Sequence, residues 1–240
     1  MFLPQHNPRL LRRKVGACTY RTILVLSERP LGHALKIVES MRERIAQSLR
    51  PPTASTQQAD ERNGDHALNT WPMSDEPLKP ASVLVPLIER ASDYHVLLTQ
   101  RAAHLKNHAG QISFPGGRQE PEDASVVATA LRETREEVGL AADFISIAGL
   151  LDTYETRTGY LVTPVVGFVR DGFELTLDSF EVAHAFEVPL EFVLDPSNHV
   201  IETRPWNGAE RRYYVLQYEQ HYIWGATAGM LVDLYRRLSK

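Results

Sequence analysis

The apolar positions of this chain fall into two periods, and the switch between them marks its organisation. Leu31, Leu35, Val38, Met41, Ile45 and Leu49 recur at steps of three and four, the spacing of one helical face, and Pro51-Pro52 ends the run. Residues 51–80 lose the periodicity and are rich in Pro, Ser, Thr, Gln, Asn and Asp, which predicts a linker or long loop. From Ala81 the pattern becomes short apolar runs bounded by turn residues. Ser82–Ile88 (SVLVPLI) and His95–Thr99 (HVLLT) predict buried strands, with Ser92 and Asp93 in a turn between them. Gln111–Phe114 predicts a short third strand. A helical period returns at Ala124–Val138, with Asp123 as the expected N-cap and Gly139 as the residue after its last turn.

Beyond that helix, Phe144–Leu151 and Val162–Val169 predict strands, Pro164 being tolerable near the start of the second. Val182, His184, Phe186 and Val188 alternate with Glu181, Ala183, Ala185 and Glu187, as in a strand with two unlike faces. Pro189–Leu194 suggests a helical turn, Tyr213–Tyr218 a strand, and Ala226–Leu238 a closing helix with a stripe through Leu231, Leu234 and Leu238. Strands interrupted by two helices indicate an α/β fold, a mixed sheet with helices on its faces. Three regions follow: 1–50, an extension with an amphipathic helix; 51–80, a linker; and 81–240, the main domain. No internal repeat is present.

Composition narrows the class. Hydrophobic residues make up 43% of the 240 positions and charged residues 23%, enough for a packed core. The formal net charge of -4 argues against a general nucleic-acid binder. Cys18 is the single cysteine, so no disulfide framework forms within the chain and a reducing cytoplasm is the expected compartment. No apolar run approaches the roughly 20 residues that span a bilayer, so no membrane partner is expected. The basic stretch before Ser27 (Arg9, Arg12, Arg13, Lys14, Arg21) lacks the apolar core of a secretory signal and reads as a basic tail in preference to a targeting peptide.

The chemistry concentrates between Phe114 and Leu140. On a helix, Glu133 and Glu137 lie one turn apart on one face, and Glu136 flanks them. Like charges at that spacing repel by some tenths of a kcal/mol per exposed pair. A hard divalent cation removes that cost, and Mg²⁺ in particular takes a few carboxylates together with phosphate oxygens and water. Arg132 is placed to fix a carboxylate rotamer, and Gly116-Gly117 lets backbone approach a phosphorylated ligand closely. Taken alone, Arg132–Glu137 (RETREE) is an ordinary solvated helix face; the Gly pair before it shifts the reading toward a metal and diphosphate site.

The run Gly-Gly, an acidic turn, then Arg132-Glu133-x-x-Glu136-Glu137-x-Gly139-Leu140 resembles the signature of Nudix hydrolases. It departs from the general pattern in three places. Asp123 stands where a Glu is usual, Arg132 lies one residue further on, and Thr134 replaces an apolar residue. The coenzyme A pyrophosphatase branch shares the longer spacing. Its upstream motif resembles Leu97, Leu98, Thr99, Arg101, Lys106, Gly110, Phe114, Pro115, Gly116 and Gly117 here, with Ala102 in place of Ser and Lys106 in place of Arg. The likeness is specific over 97–140 and looser over 81–240, and it includes Val188-Pro189-Leu190 and Trp224–Ala228.

The resemblance implies a Nudix-type α/β/α sandwich. It implies Mg²⁺ or Mn²⁺ held by Glu133, Glu136 and Glu137, with Arg132, Glu136 and Glu137 in the catalytic set. Arg101, Lys106, Gly116 and Gly117 would bind substrate. A later Glu completes such sites; Glu181 and Glu187 are both candidates, and Glu181 is preferred for its place ahead of Val188-Pro189-Leu190. The implied reaction is hydrolysis of the diphosphate of coenzyme A or its derivatives to 3′,5′-ADP and 4′-phosphopantetheine. Alternatives are another nucleoside diphosphate substrate (ADP-ribose, a dinucleotide or an oxidised nucleotide) or a non-catalytic nucleotide-binding regulator, against which the three clustered acids speak. His104 and His108 are expected in loop or packing roles, and Tyr222 and Trp224 in the core in preference to stacking on adenine. The implied partner is a small molecule, with a homodimer as the alternative to a monomer.

Overall fold

The protein is described by a computed structural model over residues 31–53, 62–69, 77–91, 93–206 and 208–240, with side chains of the first helix from Ser40 onward. The basic stretch before Ser27, Cys18, half of 51–80 and Ser92 of the expected turn lie outside the described residues.

The chain opens with helix α1 (Leu31–Ser48) and a two-residue strand β1 (Asn63–Gly64). Strands β2 (Lys79–Glu89), β3 (Tyr94–Arg101), β4 (Ile112–Ser113) and β5 (Gly116–Arg118) precede helix α2 (Val126–Val138). Then come β6 (Ile145–Leu150), β7 (Tyr154–Glu155), β8 (Tyr160–Val169), β9 (Val182–Pro189) and the short helix α3 (Leu190–Leu194). A three-stranded antiparallel sheet, β10 (Val200–Trp206), β11 (Ala209–Tyr218) and β12 (His221–Trp224), leads into α4 (Ala226–Leu238).

The main sheet runs β1-β7-β8-β2-β3-β4, with β5 also paired to β2, β6 to β8 and β9 to β3. Its spine is the parallel pair β2–β8, in register from Lys79↔Tyr160 to Ile88↔Val169, and most other pairs are antiparallel. The sheet is therefore mixed. Its two faces separate cleanly by residue parity. Leu84, Ile88, Leu97, Val165 and Val169 pack with Ala130, Val138 and Leu140 on the α2 side. Val85, Leu87, Val96, Leu98, Val166 and Phe168 pack with Leu231, Leu234 and Leu238 of α4 on the other. A sheet covered on both faces has apolar residues at successive positions, which is why SVLVPLI reads as a continuous run and not an alternation. The result is an α/β/α sandwich.

Two prolines sit inside this spine, and the pairing explains both. Pro86 falls between the part of β2 paired with β5 (Ala81–Val83) and the part paired with β3 (Leu87–Glu89). Pro164 falls between the stretch of β8 paired with β7 and that paired with β6. Each missing N–H thus lies where a strand changes neighbour, so no ladder bond is lost. Pro164 is five residues into β8, further inside than the apolar run indicates.

Helix α1 belongs to the same core. Ile45 is fully buried and Leu49 nearly so, and the Arg42 guanidinium lies 4.3 Å from the Phe168 ring centroid while pairing with Glu89. Reciprocal bonds between Arg50 and Leu150 fix the chain leaving the helix. Part of the expected linker is also built in. β1 runs parallel to β7, and the buried Asp65 accepts from Tyr154 Oη at 2.8 Å and pairs with Arg211 of β11. Single polar residues in a polar stretch carry no periodicity, so this docking has no sequence signal. β10 was not expected either. Its residues are mostly exposed and it includes Pro205, so it lacks a buried face.

The Tyr154 ring lies against Gly229 of α4, where an added Cβ would come within 2.5 Å of the ring. Gly229→Ala gains about 1 kcal/mol of helix propensity but forces a ring anchored at its hydroxyl, at a cost of about 1–3 kcal/mol. We expect the packing cost to win and the urea midpoint to fall; a rise would show that the ring yields freely.

Candidate active site

The site is built from three elements: the β5 loop, helix α2 and the turn before β9. Helix α2 starts at Val126, later than its apolar stripe suggests. Ser125, not Asp123, is its N-cap, accepting from the Ala128 N–H at 3.1 Å. Asp123 is free for another task. It accepts from Glu120 N–H and the Thr129 hydroxyl, and it takes Arg132 in a two-point contact, Nε to Oδ1 at 3.0 Å and Nη2 to Oδ2 at 2.8 Å. The Arg132 guanidinium holds the Asp123 carboxyl well below the usual carboxylate range, and Asp123 in turn raises Arg132. The helix ends at Gly139 in the left-handed conformation with φ 72°, as its sequence leads one to expect.

Arg132 also reaches along the helix. Its Nη1 donates to Glu133 at 2.9 Å and Glu136 at 3.1 Å, and its Nη2 donates to the Arg118 carbonyl at 3.2 Å. The three glutamates of this turn differ sharply in environment. Glu136 is the most open, with its side chain 60% exposed. Glu133 is half-buried against the Gly117 backbone; a Cβ at Gly117 would stand 2.6 Å from its carboxylate. Glu137 is 4% exposed and accepts from Gly116 N–H at 3.2 Å, with Arg101 Nη1 3.6 Å away. Gly116 is required by approach as well: its φ is 153° and a Cβ would meet the β2 backbone at 2.5 Å. Thr134 faces the sheet fully buried, and its hydroxyl is satisfied by the Ala130 carbonyl at 2.6 Å, so it replaces an apolar residue without an orphan donor.

Glu181 joins this group and Glu187 does not. Glu181 sits on a turn tied to α2 by Asp178 N–H to Glu137 O (2.9 Å) and to the end of β3 by Ala102 N–H to Glu181 O (2.8 Å). Its charge acts on both Glu133 and Glu137. Glu187 is held by Arg90, Nε to Oε2 at 3.0 Å, next to His95, away from the carboxylate cluster. Burial pushes Glu137 up to about 7, opposed by Gly116 N–H and Arg101 and reinforced by Glu181 and Glu133. Burial also raises Glu133, against the pull of Arg132.

The remaining sequence candidates spread along two loops. Arg101 reaches the cluster, whereas Lys106 is exposed in the loop after β3, outside the ion pairs that join Arg101 and Arg132 to the acids. His104 packs edge-on to Phe180, with ring centroids 5.0 Å apart, and His108 pairs with Gln111 at 2.9 Å. Tyr222 departs from the expected core role: it is 39% exposed. Asp123 was missed as the anchor of Arg132, because a side chain in an irregular loop gives no periodic signal.

The donor set tests whether a cation fits. Among the described residues no three acidic or histidine side chains stand ready as a closed metal cage. The donors that converge are nevertheless all carboxylate oxygens, Glu137 buried and Glu133 half-buried, both raised first by burial and further by the charge of Glu181. That is the ligand chemistry of a hard divalent cation that keeps water or phosphate oxygens in its shell. The residues fit such an ion, bound together with its substrate.

A Gly-Gly loop facing clustered carboxylates on an α/β/α sandwich defines a class of diphosphate-cleaving hydrolases, and sequence comparison agrees. Residues 78–207 match the family model described as the NUDIX domain. The chain is 42% identical over 154 residues to the protein named "Uncharacterized Nudix hydrolase NudL" from Photorhabdus laumondii, covering 64% of this chain and 82% of that one. It is 40% identical over 165 residues to the protein of the same name from Shigella flexneri serotype 5b, covering 66% and 83%. A solved C. elegans Ap4A hydrolase in a binary complex is 22% identical, with a TM-score of 0.40 over 46% of this chain and 80% of that one. The chain belongs to the Nudix hydrolase family. It is a hydrolase of nucleoside diphosphate derivatives, small-molecule substrates that the family cleaves with the help of divalent metal ions. Among the described residues no helix is long and apolar enough to cross a membrane.

The raised Glu137 carboxyl sets a pH dependence in the metal-free protein. Between its ordinary 4.5 and about 7 the folded state holds a proton that the unfolded chain has released. Stability therefore falls as pH rises through that window. Glu137→Gln removes the titration. With chelator present, the variant should gain on the order of 2 kcal/mol relative to wild type between about pH 5 and pH 8. Denaturant unfolding of both proteins at the two pH values reads this, and an unchanged difference would place Glu137 in water-like surroundings.

Proposed function

We propose that this protein hydrolyses the diphosphate bond of coenzyme A or its derivatives, giving 3′,5′-ADP and 4′-phosphopantetheine or its acyl form. The observation that carries the reading is Arg101. It belongs to the run Leu97-Leu98-Thr99-x-Arg101 that resembles the coenzyme A pyrophosphatase branch, and its guanidinium stands 3.6 Å from Glu137. A cation of the substrate motif thus borders the acids that would receive the diphosphate. Lys106, exposed five residues further on, is available to the 3′-phosphate that distinguishes coenzyme A from its dephospho form.

In this reading Glu133, Glu136 and Glu137 would hold Mg²⁺ or Mn²⁺. The chemistry such an ion supplies when bound is neutralisation of charge building on the phosphate oxygens, the main demand of phosphoryl transfer. Arg132 keeps Glu133 and Glu136 in place through its grip on Asp123. Gly116 and Gly117 let the backbone close on β2 and on the Glu133 carboxylate, which sets that acid where the diphosphate would lie. Glu181, fixed on its own turn beside Glu137, is placed to take a proton from the attacking water. In the same reading the partner is a small-molecule substrate, the net charge of -4 speaks against nucleic acid, and the compartment is the cytoplasm expected of a chain with one cysteine.

Glu137→Gln should lower turnover with Mg²⁺ by at least about 10²-fold, the loss expected when a main stabiliser of transition-state charge is removed. Lys106→Ala should raise KM for coenzyme A more than for dephospho-coenzyme A or ADP-ribose. Steady-state rates on that panel, with products identified by mass, check both. A near-normal rate for the first variant sinks the metal assignment, and equal losses on all three substrates remove the argument for coenzyme A.

A further inference from the structure

The sheet face away from α2 carries a feature that the carboxylate site does not use. A cavity of about 490 Å³ opens between the end of β3, the 109–112 segment and β12. Its walls include Gln100, Gln111, Gln220, His221, Tyr222 and Trp224, and among the described residues no Asp, Glu, Lys or Arg side chain lines it. Three carboxamides and three rings around a space of this size match the makeup of a small-molecule site, in which aromatic walls bury the ligand and a few polar groups orient it. Each carboxamide offers both donors and an acceptor.

Each of these wall residues has a partner of its own. Gln100 Nε2 donates to Gly110 O at 3.3 Å, and His108 holds the Gln111 side chain. His221 stacks on Phe186 with centroids 3.6 Å apart and meets Gln220 at 3.1 Å. The Tyr222 hydroxyl donates to Glu202 at 2.7 Å, and Trp224 meets Tyr213 edge-on. Burial lowers His221 and favours its uncharged ring.

The cavity shares a strand end with the reacting centre. Arg101 N–H donates to Gln111 O at 2.9 Å, and Gly110 N–H donates to Arg101 O at 3.1 Å. Neighbours on a strand face opposite ways. Gln100 therefore presents its amide to the cavity while Arg101 turns its guanidinium to Glu137. The cavity's Gln100 and the carboxylate site's Arg101 are thus consecutive residues at one strand end.

We propose that the cavity is the subsite for an uncharged arm of the substrate that carries amide-type donors and acceptors, and that Gln111, Gln220 and Tyr222 select it. Two parts of a coenzyme A-type molecule have that chemistry, the purine base and the amides of the pantetheine chain. The inference rests on the diphosphate-hydrolase reading for its kinetic test, but binding can be read without turnover.

Ala109 is exposed on the cavity rim, and Ala109→Phe would fill the opening without touching the core. In the full-length protein with Mg²⁺, Ala109→Phe and Tyr222→Ala should each raise KM for the cleaved substrate by at least about 10-fold and leave kcat within about twofold, the signature of lost uniform binding. AMP and pantetheine, used as inhibitors, separate the two arms: the fragment that occupies the cavity loses inhibition in Ala109→Phe and the other keeps it. KM unchanged in both variants overturns the proposal. If the wild-type protein cleaves no diphosphate at all, the activity reading fails and metal-free fluorescence decides the cavity. A saturable change in emission with AMP or pantetheine, absent from Trp224→Phe and from Ala109→Phe, supports it; no change with either fragment overturns it.

Discussion

One guanidinium organises the catalytic face. Arg132 carries the charge that lets Glu133 and Glu136 share a helical turn, and it is itself held from behind by Asp123 in a two-point contact. Its fifth bond, to the Arg118 carbonyl, ties the helix to the strand that presents Gly116 and Gly117. Without this anchor the loop from Gln119 to Ser125 would lose its main link to the helix, and the Gly-Gly backbone would no longer be set against the acids. The contact is charge-assisted and planar, so a Lys at 132 could not reproduce it. The one-residue irregularity of the signature lies in this same loop, and Asp123 is the residue that makes the longer path rigid.

Around that anchor the site separates like groups by environment. Glu136 stays in water, Glu133 rests on Gly117, and Glu137 is pressed into the sheet beneath Gly116. Glu133 and Glu137 thus both hold a proton more tightly than an ordinary carboxyl does. Burial is the largest cause for Glu137, with neighbouring acids adding to it. A buried carboxylate that is costly without a counter-ion is a stored demand for a cation, and the half-satisfying contact from Arg101 at 3.6 Å does not meet it. Stability is given up at Glu137 by burying an acid, a pattern common to functional sites.

Much of this was legible in the chain, for physical reasons that vary by element. The spine strands announced themselves because both faces are buried, which leaves long apolar runs in β2, β3 and β8. The acids of α2 were legible because 3.6-residue periodicity converts spacing into geometry. The helix start was misplaced by a turn's fraction because Asp123 and Ser125 are both good caps, and only the partner decides: Asp123 was drawn off by Arg132, leaving Ser125 to cap. β10 and β12 escaped because an exposed edge strand and a four-residue strand carry little pattern. Asp65, in the middle of an unpatterned polar stretch, became a buried partner of Tyr154 and Arg211 through contacts 89 and 146 residues away in sequence, which no local window senses.

Those same unread elements build the wall of the fold opposite the acids. β12 carries His221, Tyr222 and Trp224, and helix α4, which follows it, is tied to the main sheet by Thr227 donating to the Ile112 carbonyl at 3.0 Å. β4, which receives that bond, continues directly into the Phe114–Gly117 loop. The position of the neutral cavity and the position of the Gly-Gly loop are therefore set by one short segment. The family signature falls on the acid side of that segment. On the proposed reading the uncharged arm of the substrate meets the far side, so a shift of β4 would move the Gly-Gly loop and the arm's subsite together.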